Sequence, residues 1–171
     1  MFNDKNFKQG LPPVVGNSPK IVILGTLPSD ESIKRQKYYG NPRNQFWRIM
    51  DRLFSRKEAE TDEDFVRRMG IALWDCCKSA VRVGSQDSGF IANTVEANDL
   101  MGFLELHPTI DTIVLNGKTK ALSLFNTYFS EIKGFEIVSL TSTSGMAGGI
   151  DKKMKEWKIL KELLNGASAI D

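Results

Sequence analysis

The chain has 171 residues, 41% of them hydrophobic and 26% charged, with a formal net charge of +2. That length suits one domain spanning 1–171 with a core of its own, and the near-balanced charge excludes a basic tail that binds nucleic acid by charge alone. No apolar run approaches the roughly 20 residues of a membrane span. The leading MFNDKNFKQG lacks a signal-peptide core, so a cytoplasmic location is expected.

One histidine and two adjacent cysteines, Cys76 and Cys77, leave neither a zinc site nor a disulfide to expect. Basic residues gather in KRQK (34–37), at Arg43 and Arg48, in KTK (118–120) and in DKKMKEWK (151–158). On charge alone these read as solvated helix faces, yet several flank the loops discussed below.

In chain order, GLPPVVGNSP (10–19) reads as a turn-rich lead-in. KIVILG (20–25) then reads as a buried parallel strand: short, apolar, β-branched and closed by glycine. IALWD (71–75), TIVLNG (112–117) and FEIVSL (135–140) share that character. Between them run helical spacings. Phe46, Trp47, Met50, Leu53 and Phe54 mark one apolar face, Leu100, Phe103 and Leu104 a second, and Ala121, Leu122, Leu124 and Phe125 a third. A last helix is expected from about Asp151, its N-cap, to Leu164, carrying Met154, Trp157, Ile159 and Leu160. Four strands alternating with helices predict an α/β fold, a central four-stranded, mainly parallel sheet in a three-layer α/β/α sandwich.

Such sheets bind ligands outside the carboxyl ends of their strands. The segments there are GTLPS (25–29), WDCCKSAVRVGSQDS (74–88), NGKTK (116–120) and TSTSGMAGG (141–149). All are rich in small, hydroxyl or amide residues, which suits close approach of a sugar-phosphate backbone. Read locally, Asn44 caps a helix beginning near Gln45, and Tyr38 and Tyr39 sit partly exposed in a polar loop. Asp75 is either a loop-starting acceptor or a group presented to a ligand. His107, before a proline, reads as structural, and Cys76 and Cys77 read as small packing residues.

Order and spacing say more than any single residue. "ILGTLPSDESIKRQKYYGNPRNQFW", "GIALWDCCKSAVRVGSQDSGF", "NDLMGFLELHPTIDTIVLNGKTKALSLF" and "LTSTSGMAGG" together resemble the uracil-DNA glycosylase superfamily. The resemblance is strongest to its hypoxanthine-DNA (deoxyinosine) glycosylase branch, near the mismatch-specific uracil/thymine glycosylases. It implies a three-layer α/β/α fold, no cofactor, no metal, and hydrolysis of the N-glycosidic bond of a deaminated base flipped out of DNA. Hypoxanthine is favoured and uracil second.

The same resemblance implies the roles of individual residues. Leu27 occupies the slot where many members carry a water-activating Asp or Asn, and the branch instead implicates the asparagine that is Asn44 here. Tyr39 takes the place of the ring that stacks on the flipped base. Asp75, Asn116 and Phe46 are the further base-binding candidates, and Ser29, Ser142 and Ser144 the DNA phosphate-binding ones. Where prolines are expected around Ser-Thr-Ser stand Thr141 and Gly145, which implies a looser loop, with Met146 as its apolar wedge. The expected partners are DNA containing deaminated bases and downstream abasic-site repair enzymes, with the chain acting as a monomer away from membranes. Two alternatives stay open: a catalytically silent nucleic-acid or nucleotide-binding module on the same fold, and a hydrolase of free nucleosides or nucleotides on a similar α/β scaffold.

Overall fold

A computed structural model describes residues 4–166. In chain order the elements are β1 (Phe7–Gln9), β2 (Val14–Val15), β3 (Ile21–Gly25), α1 (Asp30–Arg35), α2 (Phe46–Leu53), α3 (Asp62–Met69), β4 (Ile71–Asp75), β5 (Cys77–Val81) and β6 (Glu96–Ala97). α4 (Leu100–Leu106), β7 (Thr112–Asn116), α5 (Lys120–Tyr128), β8 (Glu136–Leu140), α6 (Ile150–Trp157) and α7 (Ile159–Asn165) complete them.

The four apolar runs form the four parallel strands, ordered β4-β3-β7-β8, with β2 antiparallel on the outer edge of β4. Alternation along these strands builds the layers, because successive side chains face opposite sides of a sheet. Val22, Leu24, Ile113 and Leu115 pack under α4 and α5 with Phe103, Leu104, Leu124 and Phe125. Ile21, Ile23, Leu73 and Val114 face α2, α3, α6 and α7 through Phe46, Met50, Phe65, Trp157 and Leu160. Both faces are covered, which is why these strands read as continuous apolar runs rather than alternating ones.

Several expectations are corrected. The segment 74–88 is not all loop: after Cys76 the chain enters β5, the middle strand of a separate antiparallel sheet ordered β1-β5-β6. Its pattern Cys77-Lys-Ser-Ala-Val carries no long apolar run, and β1 and β6 are two or three residues long. The lead-in 10–19 contains β2. Helices α1 and α3 were not foreseen, since each buries only one or two residues. The last helix breaks at Lys158 into α6 and α7, and its cap is Gly149, with Asp151 inside the first turn.

In sequence order the parallel strands lie 2-1-3-4, so the connections diverge on either side of β3. That switch point is where an open α/β sheet leaves a crevice at its carboxyl edge.

Candidate active site

The crevice lies there. It has a volume of about 1110 Å³ and takes its walls from the segments after β3, β4, β7 and β8 and from the loop leading into α2. Small-molecule pockets run to roughly 1,000 Å³, so an open groove of this size has room for a nucleotide and part of its backbone.

Its floor is built by close approach. A Cβ on Gly25 would lie 2.5 Å from Asp75 Oδ1 and 3.5 Å from Tyr39 Oη, so glycine here is what lets the carboxyl and phenol converge. Asp75 ends β4 beside Gly25 and is 5% exposed. Burial pushes its carboxyl from 3.8 up to about 7; Arg82 pulls it down and Asp87 pushes it further up. Tyr39 sits at φ 54°, a left-handed conformation that an L-residue adopts at a cost. Its ring stacks on Phe46 at 4.1 Å and 25°. Its hydroxyl is held above the ordinary tyrosine range by burial and by Asp75, with Asn116 pulling the other way.

Three buried side-chain polar atoms have no hydrogen-bond partner among the described residues: Tyr39 Oη, Gln45 Oε1 and Asp75 Oδ2. All three residues line this crevice. Buried polar groups are normally paired, so three orphans gathered in one crevice mark a surface built for a polar ligand.

Asn44 lines the wall beside Gln45. Its Oδ1 accepts the Phe46 N–H at 2.9 Å, so it does serve the start of α2, although the cap position itself is Gln45. The bond fixes the amide and leaves Oδ1 its second lone pair. Leu27 is buried in the core. Its place in the first loop supplies backbone geometry and no ionisable group.

Asn116 lines the crevice and is also tied to the loop after β8. Its Nδ2 donates to Thr143 Oγ1 and its Oδ1 accepts the Thr143 N–H, both at 2.9 Å. It therefore holds the loop after β8 with two of its contacts. That loop is not loose at the positions where proline was expected. Glu156 Oε2 accepts both the N–H and the hydroxyl of Thr141 at 2.9 Å, and Trp157 Nε1 donates to the Thr141 carbonyl at 2.9 Å. Lys153, 1% exposed, donates to the Ser144 carbonyl at 2.7 Å. A Cβ on Gly145 would come within 2.7 Å of the Arg43 carbonyl, so glycine there lets this loop pack against the one carrying Asn44. The Gln45 N–H donates to the Thr143 carbonyl across the same contact, at 2.8 Å.

The serines lie in the crevice wall but have internal work. Ser29 Oγ accepts the Ser32 N–H as the cap of α1. Ser142 Oγ accepts from Ser144 N–H, and Ser144 Oγ from Met146 N–H. Met146 is 77% exposed at the loop tip. Two expectations are corrected outright. Phe46 is fully buried and does not line the crevice; it backs Tyr39 because it starts the core face of α2. Tyr38 is 5% exposed, its hydroxyl donating to the carbonyls of Leu11 and Pro12.

Arg82, Gln45, Thr143 and Lys153 were missed by sequence reasoning. Arg82 is 1% exposed and donates to the carbonyls of Leu27 (2.9 Å), Pro28 and Gly84 (3.2 Å), so it clamps the first loop from below. Nothing in Val-Arg-Val-Gly distinguishes a buried arginine from a solvated one. Arg82→Met would strand two buried carbonyls, and a loss of about 2–4 kcal/mol in stability is expected, measured by urea unfolding.

Other reactive types stand aside. Cys76 and Cys77 are buried free thiols, the first raised well above its ordinary value and the second pushed up to about 12, both chiefly by burial. His107 packs on Phe103 at 4.6 Å and lies outside the crevice. Among the described residues no His, Cys, Asp and Glu gather as a metal-holding group, and no helix is long and apolar enough to cross a membrane. Arg43, Arg48, Lys118 and Lys120 line the crevice. Of these, Lys118 pairs with Glu156, whereas Arg43, Arg48 and Lys120 have no carboxylate partner among the described residues.

The family described as the uracil DNA glycosylase superfamily matches residues 12–164. The chain belongs to that superfamily. It is 35% identical over 158 residues to a protein of Methanosarcina acetivorans named hypoxanthine DNA glycosylase, covering 88% of this chain and 96% of that one. A Methanosarcina barkeri protein of the same name is 33% identical over 115 residues, covering 65% of this chain and 72% of the other. The fold is similar to the solution NMR structure of a uracil DNA glycosylase candidate from Methanosarcina acetivorans, with a TM-score of 0.75 at 33% identity, over 92% of this chain and 98% of that one.

Proposed function

We propose that the chain is a monofunctional DNA glycosylase that hydrolyses the N-glycosidic bond of a deaminated base flipped out of DNA, hypoxanthine first and uracil second. The observation that carries this is that the three orphaned buried polar atoms of the described residues belong to residues lining one crevice, whose Tyr39 ring is backed by the buried Phe46. A base edge supplies what those atoms lack, and the open face of Tyr39 supplies a stacking surface. Two relatives over 30% identical, both named hypoxanthine DNA glycosylase, support the choice of base.

In this reading, Arg43, Arg48 and the Ser142–Ser144 loop hold backbone phosphates, so DNA binding weakens steeply with salt. Tyr39 stacks on the extruded base while Asp75 meets its edge. Asn44 Oδ1 accepts a hydrogen bond from the attacking water, which adds to C1′ as the base leaves with the electron pair of the glycosidic bond. The amide is a weak base, so the rate depends on stabilising the departing base and the oxocarbenium-like sugar. Asn116 positions the phosphate loop through Thr143, and Met146 enters the vacated stack. The protein acts as a single domain and a monomer in the cytoplasm and passes an abasic site to downstream repair enzymes.

The test is a panel of duplex oligonucleotides carrying inosine, uracil, xanthine or a G·T mismatch, each treated with alkali after incubation. Cleavage at inosine above the others is the expected result. No cleavage of any, with salt-sensitive binding intact, would leave a silent binding module on this fold.

A further inference from the structure

Departure of an anionic base requires a hydrogen-bond donor at the oxygen that receives the charge. The electron pair left on N9 of hypoxanthine is conjugated through C4=C5 to O6, and that left on N1 of uracil through C6=C5 to O4. His107 lies outside the crevice, both cysteines are buried small packing residues, and the Asn116 amide has one Nδ2 hydrogen and one Oδ1 lone pair engaged with Thr143. At the floor, Asp75 Oδ2 is buried and unpartnered, and the other carboxyl oxygen, Oδ1, lies against Gly25, where a Cβ would come within 2.5 Å of it.

Resting on the glycosylase reading, we infer that Asp75 works as a neutral carboxylic acid, its Oδ2–H donating to the exocyclic oxygen of the departing base. An ionised carboxylate would present only lone pairs to that oxygen and repel the charge forming there. A neutral acid supplies the donor there, and its Oδ1 remains an acceptor for the adjacent ring N–H. The step balances without proton transfer from Asp75. Water oxygen bonds to C1′, the C1′–N bond breaks with its pair on the base, and the proton released by the water ends on the base through solvent.

The charged and titratable groups facing Asp75 suit this state. Arg82, the one cation acting on it, spends its donors on loop carbonyls rather than on the carboxylate. Asp87, after β5, opposes ionisation. Tyr38 and Tyr39, from the loop before α2, and the thiols of Cys76 and Cys77 are all raised chiefly by burial, so they stay protonated and place no compensating or opposing charge beside Asp75. No ion pair to Asp75 is formed among the described residues.

The experiment compares single-turnover inosine release by the full chain and by Asp75→Asn from pH 6 to 8.5. Asparagine keeps a donor and an acceptor at every pH, so Asn variant rates hold while wild-type rates decline above neutrality. The wild-type to variant ratio is expected to fall about tenfold per pH unit there. Taking the ratio cancels titration of the base itself. A ratio constant with pH overturns the inference while leaving base release, and so the glycosylase reading, in place. A second measurement needs no activity: the ¹³C resonance of the Asp75 carboxyl, assigned by its loss in the variant, should titrate near pH 7 in the free protein. An inflection below pH 5 overturns the inference whether or not any base is released. A midpoint near 7 with no release from any oligonucleotide overturns the glycosylase reading, and with it the donor role.

Discussion

Asn44→Ala is expected to reduce inosine release by about 10²–10⁴-fold while the affinity for an inosine-containing duplex changes little. The substitution removes together a bond seen in the structure and the role proposed for the same oxygen. Its Oδ1 takes the Phe46 N–H at 2.9 Å, and loss of such a bond at a helix start costs about 1 kcal/mol. In the proposed mechanism the second lone pair of that oxygen is the one offered to the attacking water. Asn44→Ser separates the two. Serine satisfies a helix-start N–H as well as asparagine does, so stability returns. Its shorter hydroxyl leaves the water position empty, so the rate does not return. Chemical denaturation and single-turnover kinetics on the three proteins measure both effects. Full activity in Asn44→Ala would remove Asn44 from the mechanism.

The second large effect is on stability. Burial raises the Asp75 carboxyl from 3.8 to about 7, so the folded protein binds the proton more tightly than the unfolded chain does. The sign follows from linkage. The contribution is fully present below about pH 4 and is lost as pH rises through about 7. A rise of that size corresponds to about 4 kcal/mol. Relative to Asp75→Asn, the wild-type protein should therefore lose about 4 kcal/mol between pH 4 and pH 8. Near pH 4 the two should be of similar stability, and at pH 8 the variant should be the more stable. Urea unfolding across that range measures it, and a difference independent of pH would show that the carboxylate is accommodated at no cost. A site that gives up stability at neutral pH to keep a carboxyl buried and unpartnered is typical of function rather than of folding.

The α/β sheet was legible because its strands are buried on both faces. KIVILG, IALWD, TIVLNG and FEIVSL read as short apolar runs, and all four lie in the parallel sheet within one residue of the expected ends. The second sheet was not legible: β5 pairs with strands of two or three residues, whose pattern is too short to carry a period. The crevice was legible as a place, because strand ends and their polar loops are local features of the chain. The ring of Tyr39 and the carboxyl of Asp75 were legible as candidates by motif. Their convergence beside Gly25 was not, since it depends on the register of β3 against β4.

What the sequence determined by itself is the layered fold, the superfamily, and the vacancy that Leu27 leaves where an acid or amide would stand. The fold follows from periodicity, and the other two from the resemblance to the superfamily carried by the motifs and their order along the chain. Only the tertiary structure decided which polar groups are free. Asn116 and Phe46 resemble site residues in sequence, yet one is tied to Thr143 and the other lies beneath Tyr39. Gln45 and Arg82 read as ordinary surface types, yet one holds an orphaned carbonyl in the crevice and the other is buried under the first loop. The physical reason is that burial and hydrogen-bond satisfaction are properties of neighbours distant in the chain.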